Sequence, residues 1–418
     1  MSGISKYRKI HYSWVVTLGA SLVFFLSAGL SGGTFTIFLP GLINVMNLSY
    51  SQVSLIPTLS GFVGLFAMFF VRPIINRIGI RRTIFIGGLL ITIGTLITAT
   101  LKSVIILYVG GLIIGLGLGL CSTIPISMLI VRWFDKSIGF AIGLSYAGSG
   151  VAVIIGSPIF TYIIMKFGLR AGYIGLAISI LTTTILAALL IKDYPKDKGL
   201  LPYGFIEDEN KVKSQNQDFS DEYLYLETTD KETNRFHLLL VVLVILSIPI
   251  KSTVSHMSSI LISKGVDSYL AMNMVSIFGL SMVISKMGYG FIMDKLGTYK
   301  TIIITFPIWL LTLLLYFVLD KSIILVVLYS FIIGIGPAIG TVPIAVWVSE
   351  LFSKRNIEKN LTLSQIFLNF GAAIGISILG IFVDITGDYS FGMIFMTGLT
   401  LISFGIIIYL YKSNNCRN

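Results

Sequence analysis

Two lysines stand inside runs of apolar residues. Lys286 lies in the stretch Ser281–Gly290, and Lys251 follows Pro249 in a second apolar run. An ammonium in hydrocarbon costs at least about 2.5–3.5 kcal/mol, so it normally faces a cavity and has a function there. In such a medium it attracts a carboxylate strongly. The chemistry these residues suggest is anion binding, with Lys286 as the main anchor and Lys251 as the second. The bland alternatives are a Lys286 that snorkels to the membrane surface and a Lys251 that points into a wet outer vestibule. Lys286 sits about 11 Å along a helix from Met293, a long reach for a snorkel.

Other polar groups can join these cations. Ser252, Thr253, Ser255, His256, Ser258 and Ser259 cover too much of one helix to face lipid. His256 titrates near neutral pH and can carry a proton, or it is a hydrogen-bonded wall residue. Thr123, Thr341, Gln365 and Asn369 contact a bound anion or bridge helices, as do Ser122, Ser127 and Ser364. Tyr146 and Tyr289 contact it, gate it or simply pack. None of the nineteen Asp and Glu residues falls mid-segment; Asp384 and Glu350 are at segment ends. Interior lysines without interior acids favour an anionic substrate, whose own carboxylate can carry any proton linkage. No nucleophile–base pair, metal cluster or cofactor motif is present, so neither enzyme chemistry nor a cofactor is expected.

The elements that must position these residues are membrane helices. The 418 residues are 55% hydrophobic and 12% charged, with a mean hydropathy of +0.92. A soluble chain carries about a quarter charged residues. Twelve apolar segments of spanning length fall near 13–38, 50–71, 82–101, 104–131, 138–164, 171–191, 237–262, 268–293, 299–319, 322–349, 360–383 and 389–411. The polar stretch from Lys192 to Arg235, with Glu207–Glu209 and Asp221–Glu222, reads as a mobile or partly helical linker. The divisions are 1–191, a linker at 192–236, and 237–418. Pro249 should kink or break the seventh segment. The glycines from Gly110 to Gly119 read as close helix packing, not a nucleotide loop. Cys121 and Cys416 cannot build a disulfide framework.

The net charge of +11 reflects membrane orientation rather than a nucleic-acid partner. Lys6, Arg8 and Lys9, Arg72 to Arg82, Arg132 and Lys136, the linker, Lys295 and Lys300, and Lys354 to Lys359 fall on one side. Lys102, Lys166, Arg170, Lys264 and Lys321 fall on the other. The positive-inside rule therefore puts both termini and the linker in the cytoplasm. The apolar run from Trp14 reads as an uncleaved first helix. The composition fits an inner (plasma) membrane.

A shift of 218 residues lays Asn76 on Asp294, Arg77 on Lys295, Gly79 on Gly297 and Arg82 on Lys300. It also lays Thr123 on Thr341 and Pro125 on Pro343. This signals a duplicated six-helix unit, an arrangement that places a substrate site between the halves near the midplane. The loop Gly290-x-x-x-Asp294-Lys295-x-Gly297-x-x-Lys300 resembles the gating loop of the major facilitator superfamily over essentially the whole chain. Its counterpart departs from the pattern, with Arg72 for glycine and Asn76 for aspartate. That leaves the first latch without its carboxylate.

Within that superfamily, Arg132-Trp133-Phe134-Asp135-Lys136, Gly139-x-Ala141-x-Gly143 and Phe38-Leu39-Pro40 are similar to the monocarboxylate transporter and oxalate–formate antiporter branch. The resemblance implies an all-α integral membrane protein with twelve transmembrane helices in two pseudo-symmetric six-helix bundles. It implies a transporter of a small organic anion, most simply a monocarboxylate, coupled to protons or exchange. A cation eight residues before the loop aspartate holds the substrate carboxylate in that branch; Lys286 occupies that position, where arginine is usual. The branch's second lysine, in the eleventh helix, matches near Ser364 and is missing. Rival readings are an exporter of a larger amphipathic compound and a non-transporting sensor on the same fold.

Overall fold

The computed structural model describes residues 11–121, 123–136, 138–204, 230–352 and 357–415. Ser122, Glu207–Glu209, Asp221–Glu222, Lys354, Arg355 and Cys416 lie outside these residues, as do the side chains of Asp294 and Lys359. What is described is all-helical. It holds eleven helices long and apolar enough to cross a membrane.

The first span is continuous from Tyr12 to Met46. It comprises α1 (Tyr12–Phe24), a π-helical stretch (Phe25–Gly33) and α2 (Phe35–Met46). Then follow α3 (Tyr50–Ile78), α4 (Ile80–Thr98), α5 (Val104–Leu120), α6 (Thr123–Trp133), α7 (Ile138–Phe167) and α8 (Leu169–Leu190). After the linker come α9 (Asp230–Ser255), α10 (Met257–Ser263), α11 (Ser268–Leu296) and α12 (Thr298–Val318). The chain closes with α13 (Ile323–Ile332), α14 (Ile335–Ile339), α15 (Ile344–Leu351), α16 (Ile357–Thr386) and α17 (Ser390–Asn415).

Two sequence expectations need correction. The tenth segment, 322–349, is not one helix but the three pieces α13 to α15. Its apolar run hides Gly334, Gly336, Pro337, Gly340 and Pro343, which loosen the backbone or remove a donor at each junction. In the seventh segment, α9 runs unbroken through Pro249. The turn comes later, at His256.

The repeat is visible in the backbone. Gly79 joins α3 to α4 with φ +88° and ψ 163°, and Gly297 joins α11 to α12 with φ +79° and ψ 160°. Gly168 and Gly387 make the corresponding later turns at φ +84° and +80°. A side chain at these angles is strained, so only glycine lets two long helices meet without a loop.

The glycines of α5 serve packing. A Cβ on Gly110 would lie 2.9 Å from the Gly94 carbonyl of α4, and one on Gly111 would lie 3.0 Å from the Ile56 carbonyl of α3. One helix is thereby wedged between two others at backbone contact. Gly110→Leu is expected to cost about 1–3 kcal/mol by overpacking. Purified protein should then melt several degrees lower and elute with more aggregate; an unchanged melting point would mean the α4–α5 contact is looser than drawn.

The start of the linker is docked rather than free. Trp133, fully buried, donates its indole N–H to the Lys192 carbonyl at 2.8 Å. Tyr203 pairs with Phe134, its N–H donating to the Trp133 carbonyl at 2.8 Å. The guanidinium of Arg132 lies 4.5 Å from the Tyr194 ring centre. The Arg132–Lys136 motif therefore ties the chain after α8 to the start of α7.

Candidate functional site

Helices from the first and second parts of the chain meet along two seams. On one, α3 packs on α16 and the Thr58 hydroxyl contacts the Ala373 carbonyl at 2.7 Å. On the other, α7 packs on α11 and the Ser157 hydroxyl donates to the Met272 carbonyl at 2.8 Å. The seams are shut at the end that holds Tyr50. There both Asp384 oxygens accept backbone N–H groups, from Tyr50 and Ser51, each at 2.8 Å. Beneath them His256, with no exposed surface, contacts Ser54 Oγ and the Ile376 carbonyl through Nε2 and the Tyr389 hydroxyl through Nδ1.

The opposite, basic end is splayed. A Cβ on Gly150 of α7 would run into Val283 of α11. One heptad further along each helix, on the same faces, a Cβ on Gly143 or Gly290 would meet nothing within 4 Å. Lys286 lies in this interval, about 4.5 Å past Val283 along the axis, and is half-buried.

Between the seams is a cavity of about 250 Å³. Its walls include Phe35, Phe38, Ile56, Leu65, Leu118 and Tyr173. Among the described residues Lys251 is the only charged one lining it, and Ser255, one turn on in α9, and Asn369 of α16 also face it. The hydroxyls of Ser31 and Tyr173 also line it, while four others, of Thr34, Ser60, Thr95 and Thr98, are already engaged by a carbonyl of their own helix. Thr34 contacts Leu30, Ser60 contacts Ile56, Thr95 contacts Ile91, and Thr98 contacts Gly94. Among the described residues, no hydrogen bond or ion pair engages the ammonium of Lys251 or Lys286.

The remaining sequence candidates are scattered. Lys286, Tyr289, Tyr146, Thr123, Thr341 and Gln365 are not part of the cavity wall. His256 belongs to the closed end, not the cavity. The Tyr146 ring packs on Phe24 with ring centres 4.3 Å apart, Tyr289 is buried, and the Thr341 hydroxyl contacts the Pro337 carbonyl. In the gating loops Arg77, Arg82, Lys295 and Lys300 are exposed, and the Lys295 ammonium lies 4.3 Å from the Phe291 ring centre.

The carboxylate absent at Asn76 is supplied from elsewhere. Asp193, just past α8, accepts the Arg81 N–H at 2.8 Å and so caps the start of α4. At the start of α12 Glu350 plays a related part, accepting the Thr298 and Tyr411 hydroxyls at 2.8 and 2.9 Å. The sequence pattern missed both because neither acid lies near its glycine turn in the chain.

The profile of the Major Facilitator Superfamily matches residues 20–245 and 238–415. Monocarboxylate transporter 4 of Gallus gallus is 29% identical over 185 residues, which is 43% of this chain; the match spans only 38% of that relative's length. Monocarboxylate transporter 2 of Homo sapiens is 23% identical over 97% of this chain and 86% of its own. Among solved structures, the nucleoside transporter NupG superposes with a TM-score of 0.70 at 14% identity, covering 96% of this chain and 100% of its own. The D-xylose–proton symporter gives 0.69 at 15% identity, covering 94% and 96%. At these identities the structures speak to the fold alone. Both parts of the profile, laid end to end over apolar helices with glycine turns repeated at nearly the same spacing, lead to one conclusion: the chain belongs to the Major Facilitator Superfamily, is a multi-pass membrane protein, and resembles the monocarboxylate branch.

Proposed function

We infer that the protein is a secondary active transporter of a small organic anion, most simply a monocarboxylate, working by alternating access. The observation that carries this reading is the cavity between the seams, where among the described lining residues Lys251 is the single charged one and none is a carboxylate. An unpaired ammonium in a water-poor site selects for negative charge. The names of the full-length relatives support the same substrate class.

In this reading residues 1–191 and 237–418 form two six-helix bundles joined by a cytoplasmic linker at 192–236. The broken segment α13–α15 counts as the tenth of twelve spans. Both termini are cytoplasmic in an inner (plasma) membrane, as the charge asymmetry supports. The closed Tyr50 end then faces outward, and the conformation is inward-facing. Lys251 holds the anion in the cavity, and Lys286, nearer the open end, meets it on the way. Coupling is to protons or to exchange, with the substrate carboxylate paired to a lysine as the carrier of any proton linkage.

The test is uptake into proteoliposomes from a labelled panel of mono- and dicarboxylates, with and without an imposed pH gradient. Saturable monocarboxylate uptake is expected. Uptake of cationic or neutral solutes alone would remove the anion reading, and insensitivity to the pH gradient would leave exchange.

A further inference from the structure

The distribution of donors within the cavity narrows the substrate. A carboxylate needs hydrogen-bond donors; the hydroxyls of Thr34, Ser60, Thr95 and Thr98 are engaged, which leaves Lys251, Ser255, Asn369 and the hydroxyls of Ser31 and Tyr173. Lys251 and Ser255 are four residues apart on α9 and share one face. Asn369 is well separated from them. Gly371 packs beside Val244 and Ser247, and Gly375 beside Ile248 and Ser252, so α9 and α16 run in parallel and Asn369 lies roughly 12 Å along the axis from Lys251. The wall between these levels is largely apolar, with Leu65, Leu118, Ala372 and Ala373.

Volume points the same way. An apolar cavity of about 150 Å³ accommodates benzene, and this one is about 250 Å³. A three-carbon acid would leave most of it empty or wet, and the apolar wall gains nothing from water. We propose that the preferred substrate is an amphipathic monocarboxylate, its head on Lys251 and Ser255 and an aryl-alkyl or branched-alkyl body filling the apolar stretch toward Asn369. This rests on the anion reading above and adds the body to it. Leu118 becomes a specificity-determining residue.

The experiment is calorimetric titration of the full chain in lipid nanodiscs, with empty nanodiscs subtracted. The probes are acetate, isovalerate, phenylacetate, 4-phenylbutyrate and the neutral 4-phenylbutyramide, each taken to millimolar concentration. Affinity should rise with the body, by about four-fold for each methylene buried, and the amide should not bind. Leu118→Trp, which fills the apolar stretch, should weaken 4-phenylbutyrate at least ten-fold, with Leu118→Phe used if the larger variant does not fold. Equal affinity for acetate and 4-phenylbutyrate would overturn the amphipathic substrate and leave the anion reading intact. Binding of the amide as tightly as the acid, or of no acid at all, would overturn both. A folded Leu118 variant with unchanged affinity for 4-phenylbutyrate would overturn the placement of the body in this cavity.

Discussion

Carboxylate uptake is expected to fall at least about thirty-fold when Lys251 becomes alanine, the equivalent of roughly 2 kcal/mol. Removing one partner from a desolvated charge pair costs about 2–5 kcal/mol, because the other charge is left without compensation. Here that other charge is the substrate's, and among the described residues no second cation lines the cavity to take it. Lys251→Met keeps most of the side-chain volume, so a loss shared by both variants reports charge and not packing. Lys251→Arg keeps the charge but presents a wider, planar head; partial uptake with a raised KM is expected. Lys286→Ala should also lower uptake, since the anion passes it, but should spare binding in the cavity. Uptake lost in Lys286→Ala and kept in Lys251→Ala would reverse the order and move the anchor to α11.

In the proposed reading Lys251 rather than Lys286 is the main anchor, and the difference shows what a single chain can reveal. Both were visible as charges in apolar runs. Lys286 stood first on its distance from the loop and on its match to the branch's cation eight residues before the loop aspartate, and neither signal reports which cavity a side chain faces. What separates them is which helices converge: α9 faces the pocket between α3 and α16, while Lys286 sits where α11 departs from α7. His256 was legible as an intramembrane titratable group. Its partners were not, since Tyr389 lies 133 residues away in sequence and Ser54 lies 202. The loop glycines were fully legible, because a positive φ at a helix junction has few chemical solutions. Asp193 was hidden for the opposite reason: a helix N-terminus accepts a carboxylate from any direction, so no spacing marks it. The breaks at Gly334 and Gly340 were written in the sequence but masked by the apolar residues around them.

Neutralising Asp384 should open the Tyr50 end. Its carboxylate caps α3 from across the seam, with two N–H groups at 2.8 Å, and so joins a helix N-terminus in one part of the chain to α16 in the other. A charged cap of this kind stabilises a helix end by about 0.5–2 kcal/mol. Here the same contact exists only while the end is shut, so its energy biases the conformational equilibrium directly. The discount for solvent is considerable, since Asp384 is exposed. Even 1.4 kcal/mol, however, is about a ten-fold change in population. In Asp384→Ala the amides of Tyr50 and Ser51 should exchange hydrogen about ten-fold faster. Spin labels at exposed Asn44 and Ile385 should show a longer distance component that is minor in the parent protein. Asp384→Asn retains one acceptor oxygen and should fall between the two. The deeper contacts of His256 with Ser54 and Tyr389 do not involve Asp384, so they set how far the end can part. Faster exchange without any new distance component would mean that the cap only orders the start of α3. The closed end would then be held by the buried contacts around His256, and His256→Phe, which removes those hydrogen bonds at similar volume, should lengthen the distance instead.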